Sequence, residues 1–253
     1  YILPTMLTFT LAGIYSIVDG IFVGHAVGDA GLAGINVAYP LVCLILAVGT
    51  GLGMGGGVIS SIARGEGNRR SNRIPLRDLL PDASICAHIV KLGAAPFGLT
   101  LLPEVSTVVN NISLSYYGGE VALAAYAAIA YVAFFVQIMI QSVGDGSQPL
   151  ISVYRGAGNA DAVRRLRNTN YAVAIVLGVA GLGLMFAISD LIPPLFGASE
   201  AAAPIIVYAL PVFSICYIFY GFTHTTTSYF YAVDDARCSN ALVVAEAVIV
   251  SPS

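Results

Sequence analysis

The chain has 253 residues, 57% of them hydrophobic and only 10% charged, with a formal net charge of -3. Soluble proteins carry about a quarter charged residues, and a mean hydropathy of +0.84 excludes an ordinary soluble fold. The basic loops read as topology signals rather than as a nucleic-acid surface, so no nucleic-acid partner is expected.

Apolar runs reaching the roughly 20 residues that cross a bilayer are expected as helices at 4–24, 34–62, 93–116, 121–152, 168–189 and 203–231, with 240–250 as part of a seventh. The predicted fold is all-α: a polytopic integral membrane bundle of about six transmembrane helices plus a partial seventh. Turns are expected at Gly28-Asp29-Ala30-Gly31, Gly118-Gly119-Glu120 and from Pro193-Pro194 to Gly197. Residues 70–92 contain no spanning run, and Ile74–Leu80 reads as an interfacial linker. Tyr1 opens the chain without a Met or a basic leader, which points to a missing start rather than a signal peptide.

The eleven Lys and Arg residues fall into three clusters: Arg64 to Lys91, Arg155 to Arg167, and Arg237. The turns between carry Asp29, Glu120, Asp190 and Glu200 and no basic residue. By the positive-inside rule the basic clusters are expected to be cytoplasmic. Cys43, Cys86, Cys216 and Cys238 have no metal-ligand spacing and are expected as free thiols.

An internal repeat is written in the sequence. Arg64-Gly65-Glu66-Gly67-Asn68 recurs as Arg155-Gly156-Ala157-Gly158-Asn159, and 155 − 64 = 91. The same offset pairs Gly28 with Gly119, Leu32-Ala33 with Leu123-Ala124, Gly53 with Gly144, and Asp19 with Asn110. Such repeats are typical of secondary transporters. The expected organisation is a first-lobe helix pair (1–69), a cytoplasmic linker (70–92) and second-lobe helices (93–253).

Acids inside spanning helices are costly and mark functional sites by default. Asp19, Glu104, Asp145 and Glu246 qualify. Asp19 is a candidate for binding a coupling H⁺ or Na⁺; its alternative is a carboxylate bonded to a neighbouring helix or facing water in the outward cavity. From the residues alone, Glu104 reads as a polar residue facing the lobe interior with a structural partner such as Asn110 or Asn111. Asp145 is expected nearer the cytoplasmic end, in reach of water, and His224 is expected in a structural hydrogen bond. Asn36, Tyr39, Asn110, Asn111, Gln137 and Gln141 are candidates to line a substrate cavity, or else to bridge helices. Gly51-Leu52-Gly53-Met54-Gly55-Gly56 fits GxGxxG in form only, since no strand-turn-helix surrounds it. No P-loop, Ser-His-Asp set or metal-ligand spacing stands out, so the chain is expected to be a non-enzyme without a cofactor.

These residues resemble the multidrug and toxic compound extrusion (MATE) family. The resemblance runs through Leu3-Pro4, Val18-Asp19-Gly20-Ile21-Phe22-Val23-Gly24, Gly31-Leu32-Ala33-Gly34, Gly51–Gly56 and Arg64–Asn68. It continues through Gly144-Asp145-Gly146-Ser147-Gln148-Pro149-Leu150-Ile151-Ser152, Gly156–Asn159 and Tyr229-Phe230-Tyr231-Ala232. The chain is similar to the family's helices 1–2 joined to helices 7–11, with nothing resembling helices 3–6 or 12. The resemblance implies a secondary active exporter of lipophilic, often cationic drugs by H⁺ or Na⁺ antiport, here in incomplete form. It also implies a multi-pass cell-membrane location, the bacterial inner membrane, and makes Asp19 and Glu104 coupling candidates. A second chain is a candidate source of the missing helices. The alternatives are a non-transporting membrane remnant or interaction subunit, and a lipid-linked saccharide flippase. The last is disfavoured because no Lys or Arg lies within the spans to meet phosphate.

Overall fold

The computed structural model describes residues 2–67 and 83–249. The described residues are helical throughout apart from short turns: α1 (Ile2–Val27), α2 (Asp29–Gly65), α3 (Ala83–Gly156), α4 (Ala160–Ile188), α5 (Ile192–Leu195), α6 (Ala203–Ser214), α7 (Cys216–Ala232) and α8 (Ala236–Ile249). Helices are what an apolar chain must form in lipid, because each segment then satisfies its own backbone groups. α1, α2, α3 and the stretch Ala160–Leu195 are each long and apolar enough to span. α6 and α7 form a further pair bent by 42°. The chain is therefore a membrane helical bundle, as its composition implies.

α3 holds two of the expected spans in 74 residues. Its axis breaks at Gly119, where φ is 64° and ψ is -159°, a conformation that glycine adopts without steric cost. We call residues 83–118 its first arm and 120–156 its second. The first arm begins at Ala83, inside the stretch read as a linker. Asn68, Arg69, Arg70, Arg73, Arg77 and the Ile74–Leu80 segment lie outside the described residues, as does the side chain of Glu246. The four cysteines are free.

The repeat is visible in the backbone. Gly28 has φ 72° and Gly119 φ 64°; Gly67 has φ 78° and Gly158 φ 70°. Both pairs are 91 residues apart, so the two copies turn at the same points. The packing between copies is crossed. α1 lies mainly against the second arm of α3, and α2 against the first. Gly13 of α1 sits under the Phe135 ring, while Cys43 of α2 contacts Glu104, the repeat mate of residue 13. At the basic end the contact is reciprocal. A Cβ on Gly65 would strike the carbonyl of Val153, and one on Gly156 would strike the carbonyl of Ile62. Residues 62 and 153 are themselves repeat mates. α2 and the second arm thus meet on a local twofold axis, closing that end.

The main core gathers the second arm with α4, α6 and the outer turn. Leu32, Ile140, Met185, Phe196, Ile206 and Leu210 are fully or nearly fully buried there. By contrast, α1 and α2 turn Leu3, Leu7, Leu11, Leu41, Ile45 and Leu52 outward.

Candidate functional site

Between the two copies lies a cavity of about 450 Å³, within the size range of small-molecule sites. α1 contributes Tyr15, Ser16 and Asp19, α2 contributes Ile35, Asn36 and Tyr39, and the first arm contributes Glu104, Ser106, Thr107 and Asn110. The second arm adds Tyr126, Tyr131, Phe134 and Gln137, and α7 adds Tyr217 and Tyr220. Many of these positions are repeat mates: 15 with 106, 16 with 107, 19 with 110, 35 with 126, 36 with 127, and 39 with 130. The cavity therefore lies on the axis relating the copies, and the same backbone positions build both walls.

Chemistry breaks that symmetry. Asp19 has Asn110 as its repeat mate, so one copy supplies a carboxylate where the other supplies an amide. Glu104 lies in the first arm and takes a hydrogen bond from the Cys43 thiol, which also contacts Tyr39. Its Oε2 is buried without a hydrogen-bond partner among the described residues. Asp19 lines the cavity and is exposed. The lining carries no Lys or Arg.

Aromatic rings fill much of the wall. Tyr39 meets Phe134 edge-on at 6.5 Å, and Tyr126 lies 6.1 Å from Phe213. Aromatic faces attract organic cations, and carboxylates supply the opposite charge. The cavity thus sets aromatic faces beside carboxylates.

Among the cavity candidates, Asn36, Tyr39, Asn110 and Gln137 come together with Asp19 and Glu104. Asn111 and Gln141 do not line it. Asn111 is buried and exchanges bonds with Asn36: Asn36 Nδ2 donates to Asn111 Oδ1 at 2.8 Å, and Asn111 Nδ2 donates to the Asn36 carbonyl at 3.2 Å. This pair ties α2 to the first arm. Gln141 points instead toward Asp145, donating from Nε2 to Oδ2 at 3.1 Å. Asp145 is not water-facing as expected; its side chain is 8% exposed. The aromatic lining was missed in the sequence, where rings in apolar runs carry no signal of which way they face.

The fold defines a polytopic membrane protein with a cavity between two copies of a helix pair. The family model MatE matches residues 4–79 and 98–252. The chain belongs to the MatE family. It is similar in fold to a solved structure described as the inward-facing conformation of a multidrug resistance MATE family transporter of the MOP superfamily. The TM-score is 0.51 at 13% identity, covering 97% of this chain and 79% of that one. No curated protein matches the sequence.

Proposed function

We propose that the chain is the drug-binding core of a cation-coupled exporter, taking lipophilic cations into the axial cavity and releasing them in exchange for H⁺ or Na⁺. The observation that carries this reading is the pairing of Asp19 and Glu104 around one aromatic cavity without a basic residue. A carboxylate that alternates between a drug cation and H⁺ or Na⁺ binds them competitively, so one displaces the other. Such a ligand shifts a conformational equilibrium by its differential affinity for the two states. The basic end, closed by the Gly65 and Gly156 contacts, fits a cavity opening toward the opposite side of the membrane. We place that opposite side outside the cell, and the protein in the bacterial inner membrane.

A second reading, that the chain needs further helices, has its own observation. Gly49, Gly53, Gly56 and Gly57 on α2 face open space. Their repeat mates Ile140, Gly144, Ser147 and Gln148 are buried, with Gly144 packed against Ser228 of α7 and Ser147 bonded to Asn170 of α4. Among the described residues the first copy has no counterparts of α4 and α7. We therefore expect the 253-residue chain to transport poorly alone and to gain activity when helices from a second chain cover α2.

Proteoliposomes loaded with a fluorescent lipophilic cation and given an H⁺ or Na⁺ gradient test the coupling, with the missing helices supplied in trans. Asp19→Asn should abolish gradient-driven efflux while cation binding survives, and Glu104→Gln should give a smaller loss. Undiminished efflux by Asp19→Asn removes that residue from the mechanism. Robust efflux by the chain alone overturns the requirement for further helices.

A further inference from the structure

Arg164, Arg165 and Arg167 cluster on α4 at the basic end of the bundle. Arg164 and Arg165 are exposed and Arg167 is half-buried. Among the described residues no carboxylate lies within ion-pair distance of any of them; the pairs there are His88–Asp234 and His224–Asp145. Asp161 shares their helix and reaches none of them. An Arg side chain stays charged and offers five donors. Arg167 gives Nε and Nη2 to Asn168 Oδ1 at 3.2 and 3.1 Å, and the rest of its fork has no acceptor among the described residues. Three fixed positive charges thus stand together without a counter-charge.

The surface next to the arginines selects the kind of anion. α4 and α7 pack closely where a Cβ on Gly221 would meet the Ala174 carbonyl at 3.1 Å and one on Gly178 the Tyr217 carbonyl at 3.0 Å. The side chains flanking this contact form a seam on the outside of the bundle, and its chemistry is graded. The Arg167 guanidinium lies over the Tyr229 ring at 5.5 Å. One turn on, the Tyr171 and Thr226 hydroxyls meet at 2.9 Å. Thr226 donates to the Phe222 carbonyl at 2.7 Å, so Tyr171 is the donor between them. The Tyr171 ring stacks on Phe222 with centroids 5.3 Å apart. Beyond it Ile175 and Val179 of α4 and Phe219 of α7 are exposed and wholly apolar.

Cation, hydroxyl, aromatic ring and aliphatic chain follow in the order of a phospholipid read from its phosphate to its tails. Arg164, Arg167, Tyr171 and Ile175 are three or four residues apart, which puts them on one helix face. From Arg164 to Val179 is 179 − 164 = 15 residues, about 22 Å of helix. That is one leaflet, half of a bilayer of roughly 40–45 Å. A free phosphate would use the arginines and leave the apolar half idle. A neutral lipid would use the apolar half and leave the arginines uncompensated. Topology asks for basic residues at this end but not that they head such a seam.

We propose that the α4–α7 seam binds one anionic phospholipid, its phosphate on Arg164 and Arg167 and an acyl chain along Phe222 and Phe219. Contact is non-covalent, and lies apart from the cavity. It stands whether or not the chain exports drugs.

Native mass spectrometry of the full chain in detergent, titrated with phosphatidylglycerol or with phosphatidylcholine, tests the assignment. A single phosphatidylglycerol adduct should form at concentrations where phosphatidylcholine gives none. Arg164→Gln with Arg167→Gln should weaken it about tenfold or more, the scale for two basic contacts to an anionic lipid. Arg64→Gln with Arg237→Gln removes the same charge from the basic end off the seam and should leave it unchanged. Phe219→Asn should weaken it as well, since the chain path becomes polar. Each substituted side chain is exposed or half-buried, so none holds the core. Equal binding of phosphatidylcholine would overturn the proposal. So would an equal loss in the off-seam pair, which would make the attraction diffuse charge. If inorganic phosphate displaces the lipid and Phe219→Asn changes nothing, the ligand is a free anion and the proposal fails.

Discussion

Gly53 and Gly144 are repeat mates with opposite surroundings. A Cβ on Gly53 meets nothing within 4 Å, while one on Gly144 lands 2.7 Å from Ser228 Oγ. Identical substitutions at the two sites should therefore have opposite signs. Gly53→Ala should be neutral or stabilising by up to about 1 kcal/mol, the helix-propensity gain. Gly144→Ala should destabilise by about 1–3 kcal/mol, the range for overpacking. Thermal unfolding in detergent measures both, and equal shifts would show that the two faces are equally packed. At this scale the sequence was partly legible. Acids in apolar spans stand out because burying charge is expensive, so Asp19 and Glu104 were singled out. Amides do not, because an amide bridges helices as readily as it lines a cavity. That is why Asn111 and Gln141 were placed at the cavity, whereas Asn111 pairs with Asn36 and Gln141 with Asp145. The helices are apolar nearly all round, which leaves no polar face to say which way an amide points.

Single elements show where chain-order reasoning holds and where it fails. The break between the third and fourth spans was marked by Gly118-Gly119, and Gly119 is where α3 turns. The start of that helix at Ala83 was not marked, since Ser84, His88 and Lys91 interrupt the apolar run, and the segment docks on α2. Ile89 and Gly93 pack against Gly55 and Gly51 there. At α8 the start is set by Asp235, whose carboxylate accepts the Cys238 N–H at 3.1 Å. That bond holds the Asp235 carboxyl below its usual range, and the carboxylate in turn raises the exposed Cys238 thiol. The folded value of Asp235 is the depressed one. Its contribution to α8 is therefore complete above the ordinary carboxylate pKa of about 3.9 and is lost as pH falls through the lower folded value. Asp235→Asn keeps a capping side chain but removes the charge. In a background with Cys43, Cys86 and Cys216 replaced by Ser, alkylation of Cys238 at mildly alkaline pH should become faster, because the thiol no longer faces a carboxylate that disfavours its thiolate. An unchanged rate would mean that the carboxylate does not govern the thiol.

For the molecule as a whole, charge and repetition were the readable signals. The offset of 91 in the sequence became matched glycine turns and matched cavity positions in the fold. The crossed docking of α1 on the second arm and α2 on the first was not readable, because periodicity within a helix does not name its partner. The basic clusters predict topology. Cysteines placed at Asp29 or Glu200 should react with an impermeant reagent from outside intact cells, and cysteines at Arg70 or Arg165 should not; the reverse pattern would invert the orientation. The central claim is that a lipophilic cation binds between the two copies. The chain contains no Trp, so Phe134→Trp places a single reporter in the cavity wall, and Phe186→Trp places one on the exposed outer surface of α4. Titration of each purified variant in nanodiscs with a quenching lipophilic cation is the direct measurement. Saturable quenching at position 134, weakened by Glu104→Gln and absent at position 186, is the predicted result. Equal, unsaturable quenching at both positions would contradict binding in the cavity.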